Sequence, residues 1–448
     1  MVVRQSKPEP FWIGARKDWK VRQSLKVSAL VAVTAREMAT HMILLGSTGS
    51  GKSTAMVHFI AQAIGQEISF IIIDLRGDLA SAAFQLVCLR IPASKIALLD
   101  LREKVPLTGF NPLAGSGEIY FRVLNLLDAI AEEHDLGVQT VEYMRFAFLL
   151  LAETKQPITK LEHIFFDSSY RSDLLARSTD EPMREFWSRY DQLTKEKQQA
   201  IASPVLNKVS LLFATDGLRK LFSHPQPLDL GEHLNTPGTA LIVSLAADEL
   251  SGAGRMVGNI VLNAIRREIF ARVTIPENQR VPVQLFVDEF EHFDSRVFEE
   301  FLAEARKYRL SLILAHQTLA QVSPRFRSLV LNGVGVKMFF RTGREDGALL
   351  SKDLTGDSKA IDFNNVPVGE AYLWKVEKGY EHILVNAPLL KPSLVRTLAS
   401  FLVKDRMRRE ARVVFDAGPG GDGPRATPSP HSPKDPRPSA PTSLEEWL

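Results

Sequence analysis

Short apolar runs recur along the chain, separated by longer stretches in which apolar positions fall three and four residues apart. The runs are Met42–Leu45, Ile68–Asp74, Ile96–Asp100, Thr239–Leu245, Val283–Val287, Leu310–Ala315 and Val336–Phe340. Several are apolar almost throughout, as expected of parallel strands covered on both faces. Helical spacing follows many of them, for example at Gly254–Ala271 and Val297–Tyr308. The alternation predicts an α/β fold, a mostly parallel sheet with helices on both faces. Between Asp100 and Thr239 the strand pattern stops. Phe110-Asn111-Pro112-Leu113 opens a segment with helical stretches at Tyr120–Glu133, Val141–Glu153 and Glu185–Ala202. This predicts an inserted all-α domain over residues 111–238, dividing the core domain into 29–110 and 239–400. A surface insertion adds little loop-closure entropy.

The ends of the chain read differently. Arg16, Lys17, Lys20, Arg22 and Lys26 mark residues 1–28 as a basic arm, and Arg406, Arg408, Arg409 and Arg412 mark a basic helix over 401–415. Each cluster by itself also reads as a solvated face. From residue 416 to 448, eight of 33 residues are Pro and four are Gly, a composition that cannot bury a core and predicts a disordered tail. Its last residues, Ser443 to Leu448, end in Leu-Glu-Glu-Trp-Leu and suit docking into the groove of a protein partner; an inert tail end is the other reading.

The 448 residues include 55 basic and 52 acidic side chains, a net charge of +3 that argues nothing for nucleic acid on its own. Cys88 is the only cysteine, so no intramolecular disulfide forms and a reducing cytosol suits the chain. Pro8, Pro10, Lys17 and Asp18 interrupt the start where a leader's apolar segment would lie, and no apolar run approaches the ~20 residues of a membrane span. The expectation is a soluble, cytoplasmic protein with no transmembrane segment, reaching an inner membrane only through a partner.

The clearest chemistry is the run Gly46-Ser47-Thr48-Gly49-Ser50-Gly51-Lys52-Ser53-Thr54, which fits G-x-x-x-x-G-K-[ST] between an apolar strand and a helix. Its glycines let backbone N–H groups turn inward on phosphate oxygens, and the helix N-terminus favours the anion. Lys52 is placed to reach the β- and γ-phosphates of ATP and Ser53 to hold Mg²⁺. The strand Val283–Val287 delivers Asp288 and Glu289, a Walker B arrangement: Asp288 for the Mg²⁺ shell, Glu289 to orient and polarise the attacking water. The strand Leu310–Ala315 ends in His316-Gln317-Thr318, where the Gln317 amide can sense the γ-phosphate or merely cap a turn; His316 reads as structural. Ile71–Asp78 gives IIIDLRGD, a strand ending in a tight Gly turn with Asp78 as a natural N-cap.

Together these motifs resemble the HerA/FtsK superfamily of P-loop ATPases, and within it the soluble core of conjugative coupling proteins of the TraD/TraG kind. The resemblance rests on His41 before Gly46–Thr54, on IIIDLRGD, on FNPL at Phe110–Leu113, on VDE at Val287–Glu289 and on ARKYRLSLILAHQ at Ala305–Gln317. Asn332–Arg341 and Gly343–Asp346 add a weaker match, and the whole spans about Ala29 to Pro388. It implies a RecA-like core, a ring of six subunits, and ATP-driven movement of DNA, of either strandedness. It also implies an arginine supplied to the γ-phosphate by a neighbouring subunit. Arg306 occupies the family's Ala-Arg-Lys position, with Arg341 and Arg344 as weaker choices. The membrane hairpin of membrane-bound members has no counterpart here, and the family's IDPKGD-like turn reads Asp74-Leu75-Arg76-Gly77-Asp78.

Two other readings remain at this level. A secretion-type ATPase would keep the fold and move protein. An ABC or SMC-like ATPase would use Leu250-Ser251-Gly252-Ala253-Gly254-Arg255 as its signature, although residues between Lys52 and Asp288 lack long heptads.

Overall fold

The computed structural model describes residues 10–16, 30–115, 117–293, 295–319, 323–376, 378–385 and 394–417. The tail ending at Ser443 to Leu448, with its partner, and the basic residues Lys17, Lys20, Arg22 and Lys26 lie outside the described residues.

Eleven strands form one sheet: β1 (Phe11–Arg16), β2 (Leu30–Val33), β3 (Met42–Leu45), β4 (Ser69–Asp74), β5 (Ile96–Asp100), β6 (Ala240–Ser244), β7 (Val283–Asp288), β8 (Leu310–His316), β9 (Val336–Phe339), β10 (Glu370–Lys375) and β11 (Gly379–Val385). The order across the sheet is β2-β1-β11-β10-β9-β3-β8-β7-β4-β6-β5. From β9 to β5 neighbouring strands are parallel; β10, β11, β1 and β2 continue it as antiparallel neighbours. The seven parallel strands are the seven apolar runs of the sequence. Successive residues point to opposite faces. Thus Ile43, Leu45, Ile71 and Ile73 enter one core cluster, and Met42, Leu44, Phe70 and Ile72 the other.

The antiparallel strands were not legible. β10 mixes buried with half-buried positions and includes Glu370 and Lys375, and β11 is mostly half-buried or exposed, so no continuous apolar run announces them. Within the expected basic arm over 1–28 lies β1, where Phe11 and Ile13 are buried and the strand pairs with β11 and β2. The apolar side chains of Phe11 and Ile13 outweigh the charge that follows them.

Between β5 and β6 the described residues hold only helices, beginning with Ile119–Ala131 and Val138–Glu153 and ending with Leu230–Asn235. Their apolar faces join the same cluster as one face of the sheet. The stretch expected as one helix at Glu185–Ala202 is two, Glu181–Asp191 and Lys195–Val209. Thr194 breaks it, its hydroxyl accepting from the Lys197 N–H as the second helix's cap.

The last helix, Leu394–Ala417, begins before residue 401 and packs on helix Asp78–Arg90. Its basic side chains are not simply a solvated face. Lys404 bridges Asp100 (3.0 Å) and Glu103 (2.9 Å), and Arg408 holds Glu103 at 2.7 Å. No helix of the described residues is long and apolar enough to cross a membrane.

Candidate functional site

β3 ends at Leu45, and the chain turns through Gly46–Gly51 into helix Lys52–Gly65. Two close approaches set this turn. A Cβ on Gly46 would lie 2.6 Å from Phe340 Cβ and 2.8 Å from Ser50 Oγ, so only glycine fits. Gly51 has φ 112° and caps the helix without a side chain, leaving the first-turn N–H groups to face an anion. The loop is anchored from β9's continuation: the Arg341 carbonyl accepts from Ser47 N–H (2.7 Å) and Ser47 Oγ (3.1 Å).

Lys52 is buried and folds back over the loop, donating to the carbonyls of Gly46 (2.5 Å) and Ser47 (3.1 Å). Burial pulls its ammonium below the usual lysine range, opposed by Asp288, Glu289 and Glu291. Ser53 Oγ donates to Asp288 Oδ2 at 3.2 Å. Burial and the neighbouring Asp74 carboxylate push the Asp288 carboxyl up to about 6, against the pull of Lys52 and Ser53. The pair presents hard oxygen donors of the kind Mg²⁺ prefers, and among the described residues no group of three or more acidic, His or Cys side chains is arranged to hold a metal by itself. That donor set fits a cation whose remaining ligands come from phosphate and water.

Glu289 follows β7 in the left-handed region, φ 54°, which swings its carboxylate back toward the loop. Gln317, at the end of β8, donates Nε2 to Glu289 Oε1 and accepts from Thr48 Oγ1 at 2.9 Å. One amide thus touches both the phosphate loop and the acidic strand. His316 is fully buried beside Glu291, with Nδ1 2.7 Å from Oε2.

Two residues of the site were not singled out in sequence. Asp74 accepts from Ala80 N–H in the first turn of helix Asp78–Arg90 (2.9 Å) and from Arg76 N–H in the turn before it (3.0 Å); Gly77 is the N-cap and Asp78 the first helical residue. Arg76 reaches Glu289 with Nε and Nη2, both at 3.2 Å. The signal was present in IIIDLRGD, since a charged residue in a turn at the carboxyl edge of the sheet faces the same crevice.

Arg306 is not brought to this site. It lies in the turn Ala305–Tyr308 before β8, at the end of the parallel strands opposite the phosphate loop. It is exposed, and among the described residues its guanidinium has no hydrogen bond or ion pair. Its field adds to burial in lowering the His41 imidazole to about 4. Arg344 opens helix Arg344–Thr355, and Arg341 contributes its carbonyl to the loop. In the stretch from Leu250 to Arg255, Gly254 is required by packing: a Cβ there would meet the Leu245 carbonyl oxygen at 2.6 Å.

A phosphate loop at a crevice beyond the carboxyl ends of parallel strands, with Asp-Glu on a nearby strand, defines a P-loop ATPase of the RecA-like class. Within that class the chain belongs to the family described as the central domain of the helicase HerA, whose pattern it matches over residues 23–268. Residues 282–399 match the TraM recognition site of TraD and TraG. The chain is a HerA/FtsK-type, coupling-protein-like member. It is 24% identical to the type 4 coupling protein DotL of Legionella pneumophila subsp. pneumophila, over 76% of this chain and 50% of DotL. It thus spans about half the length of that curated relative. The plasmid coupling protein TrwB bound to ADPNP has a similar fold, with TM-score 0.59 and 14% identity, over 86% of this chain and 97% of TrwB. VirB4 of Thermoanaerobacter pseudethanolicus gives TM-score 0.56 and 13% identity, over 88% and 99% of the two chains.

Proposed function

We propose that this chain is an ATP-hydrolysing subunit of a six-membered ring motor that moves DNA in the manner of a coupling protein. The observation that carries the reading is the convergence of Lys52, Ser53, Asp288, Glu289 and Gln317 at the carboxyl ends of β3, β7 and β8. Two TrwB structures hold ADP with Mg²⁺ and an ATP analogue, which supports ATP and Mg²⁺ as the ligands here. Family membership supports DNA as the cargo and a position beside a type IV secretion system at the inner membrane.

In this reading Gly46–Thr54 cradles the phosphates, and Lys52 exchanges its two carbonyl acceptors for β- and γ-phosphate oxygens. Ser53 and Asp288 hold Mg²⁺, which neutralises charge on the phosphates. Glu289 orients water and accepts its proton, while Gln317 reports occupancy of the loop to β8. Arg306, remote from its own loop, serves the site of the next subunit. The basic arm at 1–28, the core domain at 29–110 and 239–400, the inserted helical domain at 111–238, the helix expected at 401–415 and found at Leu394–Ala417, and the tail at 416–448 form the same proposal's domain plan.

The test is ATP turnover by the full chain with single-stranded DNA, duplex DNA and no DNA, with mass photometry on the same samples. Turnover should rise with one form of DNA, the effect should shrink steeply with salt, and hexamers should form. Glu289→Gln should bind ATP but not turn it over. Turnover indifferent to DNA, with no salt-sensitive DNA binding, would refute DNA as cargo and favour a motor acting on protein.

A further inference from the structure

The geometry points to Arg76 as a positioning residue that holds Glu289 in a resting arrangement and so slows turnover of bound ATP. The inference rests on the reading of Glu289 as the residue that orients the attacking water.

Both oxygens of Glu289 are occupied. Oε1 accepts from Gln317 Nε2 and lies 3.2 Å from Arg76 Nη2; Oε2 accepts from Arg76 Nε at 3.2 Å. A base must offer a lone pair to the proton it takes, and these three contacts engage both oxygens, leave a single lone-pair position open and turn the carboxylate toward Arg76. The carboxylate is well covered, its side chain 10% exposed, whereas the arginine side chain is 65% exposed. One partner is thus fixed and the other is free to leave.

The mount of Arg76 is rigid although its side chain is exposed. Its N–H is held by Asp74 Oδ1, and its carbonyl accepts from Arg102 Nη2 at 2.9 Å. Arg102 is clamped in turn by Asp248 and Glu249. Gly77 follows with φ 102°, and a Cβ there would lie 2.6 Å from Arg102 Nη1 and 2.8 Å from Ser244 Oγ. The backbone therefore cannot shift easily, and any change of state is a swing of the guanidinium. An ion pair with one partner this exposed biases an equilibrium by no more than about fivefold, the range a reversible hold needs. A phosphate anion entering beside Thr48 competes for Gln317, which joins Thr48 to Glu289, and leaves the Arg76 pair as the remaining hold. The carboxylate acts on bound ATP only in the fraction of molecules whose guanidinium has swung away.

Arg76→Ala, Arg76→Lys, Glu289→Gln and the double variant Arg76→Ala/Glu289→Gln are compared in full-length protein without DNA, measuring kcat and KM for ATP. Arg76→Ala should raise kcat about threefold to fivefold with KM unchanged, and Arg76→Lys, which keeps the charge but not the paired donors, should fall between it and the parent. The gain should vanish in the double variant. An unchanged or lowered kcat in Arg76→Ala, or a KM that moves in step with it, overturns the inference. If Glu289→Gln is inactive and Arg76→Ala is no faster, the hold alone fails. If Glu289→Gln turns over ATP like the parent, the role of Glu289 fails and the hold with it.

Discussion

Ser53 Oγ donates to Asp288 Oδ2 at 3.2 Å, across 235 residues of chain. β3 and β7 are not neighbours; β8 lies between them, and both strands deliver their residues at the same end of the sheet. The inserted helices between β5 and β6 lengthen the chain without moving that edge. Two carboxylates, Asp74 and Asp288, share the crevice, and their mutual repulsion has consequences before any ligand arrives.

The first consequence is a pH dependence. Asp288 is displaced from 3.8 to about 6. A folded state that binds this proton more tightly than the unfolded chain loses stability as pH rises between those values, and the penalty is fully present above about 6. The shift corresponds to on the order of 3 kcal/mol. Asp288→Asn should remove that slope, so the ligand-free variant should melt higher than the parent at pH 8 and equal it near pH 4. Thermal scans at the two pH values check this. Turnover by the parent should fall on the acid side of pH 6, where Asp288 takes up its proton.

Gly46→Ala tests the tightness of the phosphate loop. The added methyl would overlap Phe340 Cβ and approach the Arg341 carbonyl at 3.2 Å, both attached to backbone that cannot yield cheaply. Destabilisation of about 1–3 kcal/mol is expected, with loss of nucleotide affinity. Denaturant melts and a fluorescent-nucleotide titration would report it. Gly49→Ala, with no atom within 4 Å of its Cβ, should crowd nothing and lose only what its φ of 73° costs.

Arg306→Ala should lower kcat about 10³-fold while leaving ATP affinity unchanged, as expected for a group that meets charge only in the transition state. Its position beyond the amino end of β8 means the loss should be complemented from outside. Mixed rings of Arg306→Ala and Lys52→Ala subunits should recover part of the turnover that each lacks alone. Failure to recover it, with rings formed, would return Arg306 to ordinary surface charge.

The last helix gives a fourth test. Burial raises the Glu103 carboxyl, but Arg408 and Lys404 prevail and hold it below its usual value. A lowered carboxylate contributes stability above its unfolded value of about 4.3, and that contribution is lost as pH falls through the folded value. Glu103→Gln should therefore speed amide exchange across Leu394–Ala417 at neutral pH and leave the core strands protected. Equal exchange in both proteins would show that apolar contacts alone hold the helix.

The limits of sequence reading follow the same physics. The seven parallel strands could be found because strands covered on both faces carry unbroken apolar runs. β10 and β11 could not, because Tyr372 and His382 pair on a face that is only half covered, and an alternating pattern with charged members resembles a loop. Gly46–Thr54 was legible because the motif is local, one turn between one strand and one helix. The spacing suggests Asp78 as the N-cap, whereas Gly77 holds that position and Asp74 reaches the Ala80 N–H, a contact that depends on how Gly77 folds the turn back.

By itself the amino-acid sequence determined the class of fold and two local motifs, Gly46–Thr54 with Lys52 and Ser53 and the strand ending in Asp288 and Glu289, because each depends on spacing within a few residues or on the covered faces of strands. Tertiary structure alone decided that Arg76 meets Glu289, that Gln317 joins Thr48 to the same carboxylate, that Arg306 stands away from its own loop, and that Lys404 and Arg408 fasten the last helix. Those contacts join residues 213, 269 and 305 positions apart. Their closeness arises from the order in which strands are laid into the sheet, and side-chain spacing carries no record of that order.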